Sequence, residues 1–275
     1  MGLRINQNTM AVAAHRNLTI NDGMLTKSME KLSSGFRINR AADDAAGLAK
    51  SEKLRADVRG INQAIKNAQD GISYVQTAEG ALDEVHAILQ RMNELAVSAS
   101  NTATSDGAAE QAEVTELLKQ IDSIGSSTKF AGKAVFSTTA VTFQVGAMST
   151  DTITVTTQGL SSASLTDGIG VAANLSAINL TTGASAAIDT VRSGIDEINS
   201  LRANLGAQQN RLEHTITNLG VTSENLQASE SRIRDLDIAA EMVRFTRNQI
   251  MVQAGTAMLA QANQVPQSVL QLLRG

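Results

Sequence analysis

Three histidines and one pair of adjacent aspartates are the side chains in this sequence whose types could carry chemistry. A metal ion held on a helix needs two histidines one turn apart, as in HExxH, so that both rings reach the same ion. His15, His86 and His214 each stand alone on a helical stretch and read as ordinary surface or seam residues. Acid–base catalysis needs two carboxylates held in different environments. Asp43 and Asp44 are neighbours within AADDAAG, where a helix begins, and carboxylates at that position accept from free amides and complement the helix dipole. The sequence holds no GxGxxG, Walker or GxSxG motif, so phosphate cradling and acyl transfer lack their backbone requirement. Without cysteine there is no disulfide framework, no thiol nucleophile and no thiolate metal site. No catalytic, cofactor or metal site is expected, and no enzymatic activity. The cluster Arg232, Arg234, Asp235, Asp237 and Glu241 has spacings that suit ion pairs within or between helices, with interface specificity as its sharper reading.

The elements around these residues follow from hydrophobic period. Ile61, Ile65, Ala68, Ile72, Val75, Ala78, Leu82, Val85, Leu89, Met92, Ala96 and Ala99 recur at steps of three or four, with one slip at Ala78. That is the coiled-coil period, and it predicts one helix from about Asp43 to Ala99, on the order of 80 Å long. A turn is expected at Ser105, Asp106 and Gly107, then a shorter helix over 108–124. Val191, Ile198, Leu205, Leu212, Leu219, Leu226, Ile233 and Ala240 fall every seven residues. The companions four places on, including Arg202, Gln209, Ser223 and Glu230, are mostly polar, so this seam is narrow and its polar groups fix register. The two long helices are expected to pack together. Their seam is Ile61, Ile65, Ile72, Val75, Leu82 and Leu89 against Val191, Ile198, Leu205, Leu212, Leu219 and Leu226.

Between Lys133 and Asp189 only Asp151 and Asp167 are charged, and Val141, Phe143, Val145, Ile153 and Val155 alternate as in a β-hairpin. Residues 159–187 show no sustained period and read as a short surface segment. The chain ends are amphipathic helices. Leu18, Leu25 and Leu32 form a stripe near the start, and Val243, Ile250, Met251, Met258, Val265 and Leu272 form one near the end. Residues 1–40 and 236–275 are expected to be disordered in the free monomer and to fold together on assembly, the alternative being a helix pair already packed in the monomer. The fold class is therefore mainly α: a long antiparallel helical coiled coil or bundle built from both chain ends, with a small β-hairpin region in the middle.

Net charge is −4, with the charges interspersed, so the chain lacks the basic face that phosphate neutralisation needs, and nucleic acid is not an expected partner. Aromatic residues make up 2% of the chain, and its apolar surface is mostly aliphatic, which suits helix seams better than a compact enzyme core. There is no run of 18 apolar residues and no apolar leader at the amino end, so no membrane span is expected and these properties alone point to the cytoplasm.

Particular strings carry a resemblance. LSSGFRINRAADDAAGLAKSEKLRADVRGINQAIKNAQDGISYVQTAEGAL, residues 32–82, resembles the amino-terminal region of bacterial flagellins. The stretch SESRIRDLDIAAEMVRFTRNQIMVQAGTAMLAQANQVPQSVLQLL resembles the matching carboxyl terminus, and FQVGAMSTDTITV resembles the family's central hairpin. The resemblance implies a structural subunit that polymerises into the bacterial flagellar filament for swimming motility. A hook–filament junction protein of the same superfamily is the alternative. It implies that 1–42 and 236–275 form an inner tube, that 43–158 and 188–235 form the surrounding helical layer with the hairpin, and that 159–187 is a short variable segment. With so short a segment the filament is expected to be thin and smooth.

The resemblance also replaces the cytoplasmic expectation with a secreted, extracellular one, since flagellins leave the cell unfolded through a flagellar type III apparatus. The implied partners are other copies of the chain, the filament cap, the hook-junction proteins and an export chaperone that holds the carboxyl-terminal helices. The segment LQRMNELA, with Arg91 and Leu95, and Glu113 on the next helix match positions that in some flagellins contact Toll-like receptor 5.

Overall fold

The computed structural model describes residues 8–101, 107–137, 139–160, 175 and 178–274, with 265–274 given in backbone alone. The heptad-bearing stretches form long helices: α1 (Thr9–Ser34), α2 (Ala45–Ala99), α4 (Leu180–Arg234) and α5 (Ile238–Arg274), with the shorter α3 (Ala108–Ser127) after α2. Four short strands lie between α3 and α4: β1 (Lys129–Phe130), β2 (Lys133–Ala134), β3 (Val141–Gln144) and β4 (Thr152–Val155). The chain divides into two compact units, Met1–Ala56 with Asn225–Gly275, and Asp57–Glu224. Among the described residues no helix is long and apolar enough to cross a membrane.

In the Asp57–Glu224 unit the apolar stripes meet. Val75, Leu82 and Leu89 of α2 and Val191, Ile198 and Leu205 of α4 are buried in one cluster, which Val114 and Ile121 of α3 complete. Ala78, where the period slips, is fully buried, so a methyl group suffices to keep the seam closed there. Ile61 and Leu212 are also buried, while Ile65, Ile72, Leu219 and Leu226 are half-buried. The polar companions on α4 find partners at the seam edge. Arg202 pairs with Asp83 at 2.8 Å and Glu79 at 3.7 Å, Ser223 donates to Asn62 at 3.3 Å, and Gln209 donates along its own helix to Glu213 at 2.9 Å. Gly71 lets the seam close, because a Cβ there would lie 3.3 Å from Leu212.

The few aromatic residues are concentrated where the hairpins dock. Tyr74 on α2 lies 5.8 Å, ring centre to ring centre, from both Phe130 and Phe143, edge-on to the first. Its hydroxyl donates to the Val135 carbonyl at 2.8 Å, so the polar end of a buried ring is satisfied. β3 and β4 pair antiparallel with Val141 opposite Val155 and Phe143 opposite Ile153, in the hairpin the alternation predicts. The smaller β1–β2 hairpin was not expected, since two-residue strands show no period. Its turn rests on Ala131 at φ 49° and Gly132 at φ 82°, both left-handed.

The expected unpatterned segment 159–187 gives way at its end: α4 already begins at Leu180. Ser, Thr and Gly have low helix propensity, so periodicity misses this start, but tertiary partners supply it. The Leu180 amide donates to Gln111 Oε1 at 2.6 Å, and Asn179 Oδ1 accepts from the Thr181 amide at 3.0 Å. A break remains at Gly183, where φ is −150°. Most of the rest of that segment, and Ser105 and Asp106 of the expected turn, lie outside the described residues.

Of the aspartate pair only Asp44 caps the helix, and Asp43 instead closes the turn before it. Asp44 Oδ1 accepts from the Gly47 amide at 2.9 Å in the first turn of α2, and a Cβ on Gly47 would come within 2.4 Å of that carboxylate. Asp43 Oδ2 accepts from the amides of Arg40 and Asn39, at 3.1 Å and 3.2 Å, which holds its carboxyl below the ordinary value of 3.8.

Two outcomes follow. Leu89→Ala removes a fully buried seam residue and should destabilise by about 2–5 kcal/mol in urea unfolding followed by circular dichroism. Because the folded-state pKa of Asp43 is depressed, its contribution is present above the unfolded value and lost as pH falls through the folded one. Asp43→Asn should therefore be less stable than the parent at neutral pH, with the difference closing below the ordinary value of 3.8 in acid titrations of the melting temperature.

Candidate functional site

The unit built from both chain ends rests on α1 and α5, which run antiparallel. Asn8 Nδ2 donates to the Ala262 carbonyl at 2.8 Å at one end, and at the other Lys27, Ser28 and Lys31 share a groove with Glu241, Arg244 and Asn248. Between these points a Cβ on Gly255 would lie 3.2 Å from Leu18. Ala11, Ala14, Leu18, Asn21, Leu25, Ser28 and Leu32 of α1 are half-buried or buried at steps of three and four, and Glu30 and Lys31 are half-buried beside the last of them. On α5 the half-buried or buried positions are Glu241, Phe245, Asn248, Val252, Gly255, Leu259 and Ala262, at the same steps. Both are a/d stripes, and their small and polar members allow the backbones to approach.

The pairing matches the packed-pair alternative: in this structure each terminal helix covers one face of the other. It also separates the two predicted stripes. Leu18, Leu25 and Leu32 lie half-buried in the seam, whereas Val243, Ile250, Met251 and Met258 are exposed, Val243 to 70%. The residues of α5 that face α1 lie on a neighbouring heptad, which reasoning from the methionine stripe missed. The signal was present as Phe245, Val252 and Leu259, spaced by seven. The side chains of Val265 and Leu272 lie outside the described residues.

The uncovered surface is extensive for helices of this length. On α5 it includes Met242, Val243, Ile250, Met251 and Met258, and on α1 Met10, Val12, Ile20, Met24 and Met29. Isolated exposed apolar residues are ordinary, but contiguous ones mark surfaces that another molecule covers. At the base of the pair, strand-like hydrogen bonds join the segment that follows α1 to the one between α4 and α5. The Arg37 amide donates to the Arg234 carbonyl at 2.7 Å and the Leu236 amide to the Gly35 carbonyl at 3.0 Å. Arg234 lies 4.7 Å from the Phe36 ring centre and pairs with Glu52 at 2.6 Å. Of the predicted charged cluster, Arg234 and Glu241 make ion pairs, Glu241 with Arg244 at 3.5 Å, and Asp237 caps α5 by accepting from the Ala240 amide at 3.0 Å.

The other singled-out residues occupy ordinary structural places. Arg91 donates to Glu113 at 2.9 Å and to Glu94 at 3.1 Å on the surface, and these bonds, Glu113 first, raise its pKa. Leu95, grouped with them from the sequence, is instead 6% exposed, because it is part of the apolar cluster beneath. His86 bonds Gln90 one turn on at 2.9 Å, and His15 and His214 are exposed. Among the described residues no group of three His, Asp or Glu side chains is placed to hold a metal ion.

Comparison with known proteins agrees with this helical plan. Residues 5–140 match the model of the bacterial flagellin N-terminal helical region, and residues 188–273 match that of the bacterial flagellin C-terminal helical region. Flagellin of Halalkalibacterium halodurans is 53% identical over 276 residues, covering 98% of this chain and 99% of that one. Flagellin of Bacillus subtilis is 48% identical over 304 residues, covering 99% of this chain and all of that one. The flagellar filament 33 kDa core protein of Treponema phagedenis is 46% identical over 286 residues, with 98% and 99% of the two chains covered. With both terminal regions matched and near-complete coverage of such relatives, the chain belongs to the bacterial flagellin family.

Proposed function

We infer that this protein is a structural subunit that polymerises into the bacterial flagellar filament, and that it is not an enzyme. The observation that carries the reading is the apolar surface that α1 and α5 leave uncovered after pairing with each other. Burying it against neighbouring copies contributes about 25 cal/mol per Å² of apolar area. A filament needs a contact between two different surfaces that repeats with a fixed rotation and never closes into a ring. The outer faces of α5 and α1 are two such surfaces.

In this reading 1–42 and 236–275 form the inner tube, with Leu18, Leu25 and Leu32 holding the pair together. Val243, Ile250, Met251, Met258, Val265 and Leu272 meet neighbouring copies. Residues 43–158 and 188–235 form the surrounding layer, and 159–187 is a short surface segment, which leaves the filament thin and smooth. The filament lies outside the cell, reached by export of the unfolded chain. Its further partners are the filament cap, the hook-junction proteins and an export chaperone that takes the carboxyl-terminal helices before assembly. Arg91 and Glu113 form the accessible part of a contact with Toll-like receptor 5, and Leu95 supports them from beneath.

Seeded polymerisation tests the assembly surface. Val243→Asp with Ile250→Asp should abolish seeded filaments in electron micrographs while shifting urea unfolding by less than about 1 kcal/mol, as exposed substitutions do. Normal filaments from this variant would overturn the assignment of the α5 face. Micrographs of the parent should show a smooth outline without projections, and bulky projections would contradict the thin-filament reading.

A further inference from the structure

Among the described residues Met92 is fully buried, but seven methionines are exposed. Six of these lie on the terminal helices, Met10, Met24 and Met29 on α1 and Met242, Met251 and Met258 on α5, and the seventh, Met148, lies in the β3–β4 turn. On α5 they flank the exposed Val243 and Ile250, and Met242 and Met251 line one shallow apolar groove with them. Met24 and Met251 also line the groove between the two helices. Their thioethers are therefore open to solvent in the free subunit, on the faces that assembly covers.

We propose that these six methionines are oxidation sites, and that peroxide acting on the unassembled subunit switches off its polymerisation reversibly. The inference rests on the assembly reading above. The thioether sulfur attacks one oxygen of hydrogen peroxide, the O–O bond breaks and an S–O bond forms. The proton of the transferred oxygen passes to the departing one, which leaves as water. Sulfur loses two electrons and the peroxide is reduced. The product is a polar sulfoxide, and burying it in an apolar contact without a hydrogen-bond partner is unfavourable. Reduction by two thiols through methionine sulfoxide reductases returns the thioether, with a disulfide and water as products. Met92 is shielded by the core, so among the described residues oxidation reaches only surface methionines, the six on the terminal helices and Met148 in its turn, and leaves the fold in place. Once copies are stacked, the six terminal-helix sulfur atoms are covered and protected.

The test treats purified full-length monomer with hydrogen peroxide and maps each methionine by peptide mass spectrometry. The six terminal-helix methionines and Met148 should oxidise well before Met92. The critical concentration for seeded polymerisation should rise by about tenfold or more, and sulfoxide reductases of both epimer specificities with dithiothreitol should restore it. A variant with Leu at all six positions, referred to its own untreated value, should show a treated-to-untreated ratio near one. Peroxide applied to assembled filaments should oxidise the six sites more slowly than in monomer.

Unchanged polymerisation of fully oxidised parent protein would overturn the proposal, as would an equal loss in the six-leucine variant. Failure of the untreated parent to polymerise would instead overturn the assembly reading on which it rests.

Discussion

A helix packed against a single neighbour buries one stripe and leaves the rest of its circumference in water. The terminal pair is governed by that constraint. Its seam is assembled from Ala11, Ala14, Ser28, Gly255 and Ala262 as much as from leucines, so the backbones come close while rather little apolar area is used. The large side chains, Val243, Ile250 and the methionines, are left facing outward. Small residues thus share the seam with Leu18, Leu25, Leu32, Phe245, Val252 and Leu259, while many more large apolar side chains face outward than scattered surface exposure accounts for. That surplus suits a chain that is covered by other copies of itself.

The Asp57–Glu224 unit follows the opposite rule. There the large aliphatic residues of α2 and α4 point at one another, and the polar residues on the α4 seam are matched to Asp83, Glu79 and Asn62 rather than left over. With so few aromatic side chains available, three of them are spent at one point, where Tyr74, Phe130 and Phe143 fasten both hairpins to the helix. Among its described residues this unit closes a core of its own.

Much of this was legible beforehand because period is a strong signal in long helices. The α2 and α4 stripes could be read residue by residue, and the alternation of Val141 and Phe143 with Ile153 and Val155 disclosed the central hairpin. What could not be read had physical reasons. The β1–β2 hairpin is too short to have a period and depends on two left-handed residues. The start of α4 is imposed by Gln111 and Asn179 against the preference of its Thr- and Gly-rich sequence. The face of α5 that meets α1 was hidden because hydrophobicity favours the methionine stripe, while the true seam includes Glu241, Asn248 and Gly255. The burial of Leu95 was hidden for a related reason, since matching a motif says nothing about which way a side chain points.

The short β-like bridge between residues 35–37 and 234–236 also acts as a datum for the whole terminal pair. From Gly35 with Leu236, through Leu18 with Gly255, to Asn8 with Ala262, the partners stay in step along nearly the full length of α1. A seam of small residues is slippery, because alanines and glycines interlock poorly and resist sliding little. The bridge removes that freedom by indexing both helices from the same end, so the outward faces of every copy carry the same offset. A helical polymer repeats any error in its subunit at every step, and a fixed index at the base of each pair keeps its lattice uniform.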